Sequence, residues 1–299
     1  DLCLDADEGI RGGEMVVHGP MPVVVEHESG GQRRYVAGWA VVALQVAALG
    51  ENVVTATRSP TRTDDLVSEV VVVQRSQIEA STARTLPELL ARTAGLQVSA
   101  NGATGKTSSV FMRGTESRHT ILLIDGVRFG SATAGTPSWD NIPLEMIERI
   151  EVLKGPASAL YGSEGVGGVV QIFTRQAKPG FNPYASATVD SERWRQWTGG
   201  FTGGQGGWTW ALGLQQLRER GLSSTNPKVQ FGNFNPDLDP FTQDALNASV
   251  ALQISPGWRA DASLLYADGV SHFDDGPGVD ARSAVRVATL QAGIQGRLT

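Results

Sequence analysis

The sequence is poor in cysteine and histidine, and no apolar run in it is long enough for a comfortable membrane-spanning helix. Its single cysteine, Cys3, cannot form an internal disulfide. Its 4 histidines are scattered and no serine, histidine and aspartate fall into a nucleophile arrangement, so we expect no enzyme activity and no catalytic cofactor. A formal net charge of -6, without a long run of like charges, argues against a nucleic-acid partner.

The apolar run from Val36 to Leu49 is interrupted only by Gln45. A transmembrane helix needs about 20 apolar residues, so this run is too short. Two arginines precede it and small residues follow it, which is typical of an export signal peptide, whereas the alternative is a buried core helix. We therefore predict a signal peptide at 33–50 and interpret 1–32 as an upstream or non-native segment.

Glycine and tryptophan are plentiful, with 36 Gly and 7 Trp, which indicates many turns and aromatic anchors. The stretch ANGATGKTS at 100–108 fits the loose phosphate-loop pattern of a nucleotide-binding enzyme. A phosphate loop requires a helix after its lysine, but the residues after Lys106 alternate as a short strand and soon reach Gly114. Asp125 and Gly126 end the run ILLIDG as a hairpin turn signal. A P-loop NTPase is therefore the disfavoured alternative.

Residues 58–180 predict a small α+β domain. The helix predicted between Ser81 and Gly95 has a proline in its first turn, a leucine stripe and a glycine at its C-terminal end. A helical turn is predicted from Pro143 and a short helix within 155–161. Strands are predicted at 70–74, 96–99, 109–113, 120–124, 149–153 and 168–174.

From Phe181 onward the period changes to two, and one face of each segment is apolar. Tight connections at 203–207 and 255–257 alternate with long polar ones at 221–243 and 271–283, which is typical of antiparallel transmembrane β-barrel strands, although a soluble β-sandwich gives similar alternation. About six strands cannot close a barrel around a domain of this size, so we expect a longer receptor with about 22 strands. A truncated gene without a folded product is the remaining alternative.

The segments ENVVTATR, VFMRGT, TILLIDGVR and IERIEVLKGPASALYGSEGVGGVVQIFTR resemble, in this order, the plug domain of TonB-dependent outer-membrane receptors. Within these, the chain most resembles the cobalamin receptors. The resemblance implies an active transporter in the outer membrane of Gram-negative bacteria, energised by the protein TonB and surrounded by lipid. The implied substrate is cobalamin or another bulky metal chelate, and a ferric-siderophore or haem receptor is the alternative within the family.

The resemblance also implies three groups of plug residues, one each for TonB, for the plug core and for the substrate. An extended segment at 51–57, here called the TonB-box-like segment, is suited to pairing with the edge of a partner's sheet. Arg113 and Gly114 match the plug core, where the arginine is able to tie plug to barrel. Two apex loops of the plug are expected to contact the substrate. The TonB-binding residues are Glu51, Asn52, Val53, Val54, Thr55, Ala56 and Thr57, and the substrate-binding residues are Asn101, Gly102, Gly105, Lys106, Gly135 and Thr136.

Calcium is the metal that the resemblance implies, bound by aspartates of the two long barrel loops. Calcium prefers six to eight oxygen ligands, several of them carboxylates. Asp237, Asp239 and Asp274 match the pattern best, and Asp280 lies beyond them. The segment GLSSTN lacks a further aspartate that the family supplies earlier in the first loop, and solvated acidic turn residues are the alternative.

Overall fold

The fold is known from a computed structural model, which describes residues 22–29, 32–39, 52–53, 55, 61–66, 68–130, 136–177, 179–190, 194–223, 226–228 and 234–296. The chain divides into two compact units, 1–49 and 50–299. In the first unit, β1 (Pro22–Ser29) and β2 (Gln32–Trp39) pair as an antiparallel hairpin. β2 overlaps the predicted signal peptide at 33–50, whose remaining residues lie outside the described ones, so the export signal stays a prediction. Among the described residues, no helix is both long and apolar enough to cross a membrane.

The first part of the second unit is an α+β domain, as predicted. Its strands are short and its helices shorter than three turns. The strands are β3 (Asn52–Val53), β4 (Thr61–Arg62), β5 (Glu69–Gln74), β6 (Gln97–Ala100), β7 (Ser108–Phe111), β8 (Thr120–Ile124), β9 (Val127–Phe129), β10 (Ile147–Lys154) and β11 (Gly168–Thr174), and the helices are α1 (Arg75–Ala80), α2 (Leu86–Ala94) and α3 (Ser158–Tyr161).

Five of these strands form one sheet in the order β5-β10-β11-β8-β9. β11 runs parallel to β8, whereas the other neighbours are antiparallel. Every residue of β8 and of β11 is buried, which explains why both strands are nearly continuous apolar runs in the sequence. β6 and β7 form a separate hairpin, and the connection between them contains the first of the two predicted apex loops.

Helix α2 forms as local sequence predicts. The Thr85 side chain accepts a hydrogen bond from the backbone N–H of Glu88, Pro87 lies in the first turn, and Gly95 ends the helix with a φ of 65°. Leu89 and Leu90 are fully buried beneath the sheet's apolar face. The separate helix α1, which begins directly after β5, was not predicted; its N-terminus has a capping box made by Gln74 and Gln77.

No helix follows Lys106, because β7 begins at Ser108. The phosphate-loop interpretation is therefore wrong, since its phosphates require the N-terminus of a helix. Asp125, with a φ of 49°, lies in the turn between β8 and β9, which confirms its interpretation as a turn residue.

The second part of the unit is a six-stranded antiparallel meander in which each strand pairs with the next. This agrees with the predicted antiparallel strands of barrel type. The strands are β12 (Gly180–Val189), β13 (Trp194–Gln205), β14 (Trp208–Glu219), β15 (Phe241–Ser255), β16 (Trp258–Gly276) and β17 (Val279–Gly296).

In β14, apolar side chains are exposed and a polar side chain on the other face is buried, which is the reverse of the pattern in a soluble sheet. Trp208 and Leu214 are 49% and 55% exposed, whereas Gln215 on the opposite face is 6% exposed. The polar and small face packs towards the plug, where Ala245 and Ala267 of the meander join the plug's apolar core. An apolar outer face and a small or polar inner face are what a lipid-embedded barrel wall requires.

The prediction of a long polar loop at 271–283 is wrong. β16 and β17 continue through this segment and are joined by a tight turn, with Ser271 opposite Ser283 and Asp274 opposite Asp280. Backbone pairing between the two strands keeps these polar residues extended, although their composition is typical of a loop. The first long loop, between β14 and β15, is present as predicted.

Candidate functional site

The apex loop of the plug, 101–107, is fixed against the barrel wall. Within the loop, Lys106 N–H donates to Ala103 O at 3.2 Å and Asn101 N–H to Thr107 O at 3.1 Å. Gly105 has a φ of 79°, and a Cβ at this position would lie 2.2 Å from the ring of Phe241 at the start of β15. Only glycine permits this close approach of loop and wall.

A cavity of about 420 Å³ lies beside the apex loop, between the plug and β16–β17. Its walls include four of the predicted substrate-binding residues, Asn101, Gly105, Lys106 and Thr136. Gly102 is exposed on the same loop, and Gly135 lies outside the described residues. The sequence prediction missed Trp139, Asp140 and Phe273 in the lining, and it assigned the lining residue Asp274 to the metal site instead.

Lys106 is the most buried of the predicted contact residues, with a side chain 7% exposed. Its Nζ lies 3.7 Å from Oδ2 of Asp239, whose side chain is 3% exposed, and 5.4 Å from the centre of the Phe273 ring. Burial lowers the pKa of Lys106, and the charges of Asp239 and Asp274 oppose this shift. Of the predicted contacts, Asn101 is exposed at the cavity, whereas Lys106 is buried in its wall.

Asp140 is a second titratable group in the cavity wall. Burial raises the pKa of its carboxyl to about 6, and a hydrogen bond with Ser108 acts in the opposite direction. Its position follows from the short helical turn Trp139–Asn141, which places Trp139 in the plug core and Asp140 at the cavity. Sequence reasoning had no signal for this residue beyond its place beside a buried tryptophan.

Three of the predicted metal ligands come together. Asp237, Asp274 and Asp280 each offer a carboxylate oxygen, and these oxygens lie within 4.8 Å of one another. Calcium binds oxygen at about 2.3–2.6 Å, so two oxygen ligands of one ion lie at most about twice that distance apart. The separations of these carboxylate oxygens are compatible with one shared ion. Asp239 departs from the predicted set, because its carboxylate faces Lys106 and is not part of this group.

Asn235 connects the first loop to the β16–β17 hairpin, and sequence reasoning missed it. Its backbone N–H donates to Asp274 Oδ2 at 3.2 Å and its side-chain amide donates to Asp280 Oδ1 at 3.1 Å. Its Oδ1 accepts a hydrogen bond from the backbone N–H of Gly278 in the hairpin turn. The Asn-Pro sequence, a frequent turn signal, was the available clue.

The TonB-box-like segment is described at Asn52, Val53 and Thr55; Glu51, Val54, Ala56 and Thr57 lie outside the described residues. β3, which contains Asn52 and Val53, pairs with β4 of the same chain. Thr55 is fully buried, and its backbone N–H donates to Glu151 Oε2 at 2.9 Å. The hydroxyl of Tyr161 donates to Thr55 O at 2.9 Å. The segment therefore contacts the plug itself at Thr55.

Arg113 and Gly114 lie in the turn after β7, both with positive φ. Arg113 Nη2 lies 2.9 Å from Glu69 Oε2, and Glu69 also pairs with Lys154 at 2.7 Å. Both hydrogen bonds lower the pKa of Glu69, that from Lys154 more strongly. The contact of Arg113 is therefore within the plug sheet, whereas the sequence prediction allowed a tie to the barrel.

Residues 62–169 match the family model described as TonB-dependent receptor plug domain. Two solved structures share the fold over most of the chain. The siderophore receptor PiuA from Acinetobacter baumannii aligns over 71% of this chain and 28% of its own, with a TM-score of 0.57 and 20% identity. The ferripyoverdine receptor of the outer membrane of Pseudomonas aeruginosa aligns over 83% of this chain and 31% of its own, with a TM-score of 0.61 and 14% identity.

The fold and this match define a class, namely a plug domain followed by antiparallel strands of an outer-membrane barrel. The chain belongs to the TonB-dependent receptors, which reside in the outer membrane of Gram-negative bacteria. It is similar to the vitamin B12 transporter BtuB of Photobacterium profundum, with 34% identity over 226 residues, and to that of Vibrio cholerae, with 31% over 229 residues. These alignments cover 76% of this chain but only 36% and 37% of the relatives, so the chain spans about a third of their length.

Proposed function

We propose that this chain is the plug and first barrel strands of a receptor that binds cobalamin outside the cell and imports it. The observation that carries the proposal is the apex cavity, where the predicted contacts Asn101, Lys106 and Thr136 converge. Similarity to vitamin B12 transporters over 76% of the chain supports the choice of substrate. The proposed role is transport without catalysis.

TonB is the proposed energy source, acting on the TonB-box-like segment at 51–57. An extended peptide pairs with the edge of a partner's sheet through backbone hydrogen bonds. Because Thr55 is buried against the plug, pairing by TonB requires that this contact be broken first. The segment is thus proposed to alternate between contact with the plug and contact with TonB.

Calcium is the proposed ion of the loop site, held by Asp237, Asp274 and Asp280. The three carboxylates come from the first loop and from both strands of the β16–β17 hairpin. Like charges at this spacing repel one another, and a divalent cation would remove the repulsion and hold loop and hairpin together. The ordered loop would then cover the apex cavity.

Equilibrium binding of radiolabelled cobalamin to the purified receptor, with and without a calcium chelator, tests the proposal. We expect saturable binding that weakens with the chelator, and a loss of about threefold to tenfold in Asn101→Ala, because a hydrogen bond to the ligand is removed. Asn182→Ala is the matched control, since Asn182 lies on β12, its amide donates to Pro179 O, and it does not line the cavity. Absence of saturable binding would reject the cobalamin proposal.

A ferric-siderophore receptor is the second candidate, favoured by the charged lining of the cavity at Lys106 and Asp140. The same binding experiment distinguishes the two. Saturable binding of a ferric chelate together with no binding of cobalamin would replace the first candidate by the second.

A further inference from the structure

The ammonium group of Lys106 lies at the acidic loop site, although it belongs to the plug. We propose that Lys106 is an internal cation of this site. Its charge neutralises Asp239, so that only Asp237, Asp274 and Asp280 are left to bind a divalent ion, and it lowers the affinity for that ion. The inference rests on the proposed calcium site and adds the residue that regulates it.

Burial makes the pairing of Lys106 with Asp239 energetically important. The exposed fractions are 7% for the Lys106 side chain and 3% for that of Asp239, so neither charge is solvated by bulk water. At 3.7 Å, the contact between Nζ and Oδ2 is an ion pair longer than a hydrogen bond. Among the described residues, Lys106 Nζ makes no hydrogen bond of good geometry. The ammonium therefore interacts with its acidic surroundings mainly through its charge.

The geometry brings the ammonium to the metal ligands as well. Lys106 lies over the ring of Phe273, and the next residue along β16 is the metal-ligand candidate Asp274. Lys106 and Asp274 line the same cavity, and Asp274 is 7% exposed. Asp274 thus lines the same cavity as Lys106 and also belongs to the group of carboxylates formed with Asp237 and Asp280.

Electrostatics then predicts competition between the two cations. A fixed positive charge near a divalent ion raises the free energy of the bound state, and low solvent exposure weakens the screening. Lys106 cannot leave easily, because Gly105 beside it is packed against Phe241 and its own N–H is bonded within the apex loop. The plug apex therefore stays attached to the first loop through Asp239 even when no divalent ion is bound.

Isothermal titration calorimetry tests this inference. It measures the calcium affinity of the purified receptor in detergent micelles. We expect Lys106→Gln to raise calcium affinity by roughly tenfold or more, because the competing charge is removed. Lys228→Gln is the matched control: it changes the net charge equally, lies on the exposed first loop, and should leave the affinity unchanged. Equal affinities of wild type and Lys106→Gln would overturn the inference, as would an equal rise in both variants.

Asp239→Asn is an independent variant that should change the calcium affinity in the opposite direction. It leaves the ammonium with Asp274 as its acidic neighbour, so calcium affinity should fall by a similar factor, while Lys106→Gln in the Asp239→Asn background should restore it above wild type. A double variant as weak as Asp239→Asn alone would make Asp239 a direct metal ligand and overturn the inference. Cobalamin binding measured on the same samples tests the proposed substrate separately, since the calcium ratios do not depend on it.

Discussion

The hydroxyl of Thr55 lies 2.7 Å from Oε2 of Glu151, and both residues are fully buried. The same carboxylate oxygen accepts the backbone N–H of Thr55, and Glu151 Oε1 lies 3.0 Å from Arg149 Nε. The Thr55 Oγ1 is also 3.0 Å from Gln171 Oε1, although one hydroxyl proton serves one acceptor at a time. Two adjacent strands of the plug sheet, β10 and β11, thus hold the TonB-box-like segment.

Thr55→Val should release this segment from the plug. The substitution keeps the shape but removes the hydroxyl donor to a buried carboxylate, at a cost of about 1–3 kcal/mol. We expect faster proteolysis within 51–57, measured by limited digestion and mass spectrometry. Thr93→Val is the control, because its hydroxyl donates to Leu89 O inside α2 and does not contact the segment. Digestion rates equal to wild type would show that Thr55 does not hold the segment.

Gly105→Ala should displace the apex loop. The new methyl group would meet the Phe241 ring, and a positive φ adds strain, together about 1–4 kcal/mol. Thermal unfolding and cobalamin binding should both weaken, and Phe241→Leu in the same chain should recover part of the loss. Gly126→Ala separates the two causes, since its φ is 85° but an added Cβ has no neighbour within 4 Å. If both single variants lose equal stability, the contact with Phe241 is not the cause.

Asn235→Ala should weaken the loop site without removing a carboxylate. It deletes the donor to Asp280 and the acceptor for Gly278, so the cross-link between loop and hairpin keeps only the backbone bond of residue 235 to Asp274. Calcium affinity should fall by about tenfold because the ligands are no longer held together, as titration would measure. Asn226→Ala, which removes only a local bond to the Lys228 N–H, should be neutral. An unchanged affinity in Asn235→Ala would contradict the organising role of Asn235.

Asp140 should make stability depend on pH. Because its pKa in the folded protein is about 6, compared with 3.8 when solvated, the folded state holds the proton more tightly. The contribution of Asp140 to the free energy of unfolding is up to about 3 kcal/mol. It is fully present below about pH 4 and is lost as the pH rises through 6. The unfolding temperature of Asp140→Asn should fall less between pH 4 and 7 than that of wild type.

Asp125 provides an internal comparison for this experiment. Burial raises its pKa as well, and its bonds to Thr174 oppose the shift, so part of the pH dependence should remain in Asp140→Asn. Identical pH profiles for wild type and Asp140→Asn would show that folding does not change the pKa of Asp140 and would contradict its raised value.

Elements whose signals are local were predictable. Helix α2 carries its cap, its first-turn proline and its leucine stripe within ten residues, and the hairpin turn at Asp125 and Gly126 requires only those two. The alternation of apolar with small or polar residues along β14 likewise predicted one apolar face. In each case the physical cause, a dihedral angle, a capping bond or a pleat, acts between neighbours in the chain.

The same local reasoning failed at the hairpin of β16 and β17. Residues 271–283 have the composition of a loop, but their partner strand satisfies the backbone hydrogen bonds and keeps both segments extended. Helix α1 was missed because six residues show too little periodicity to be recognised.

Residue types and spacing thus sufficed for a small α+β domain followed by antiparallel strands of barrel type, and the resemblance to a known family identified the first part as a plug domain. Long-range contacts set the rest. They buried Thr55 against Glu151, placed Asn235 between loop and hairpin, and assigned Asp239 to Lys106 instead of to the aspartate group. The reason is physical: burial and charge pairing depend on which distant segments meet, and no local pattern encodes the distance between them.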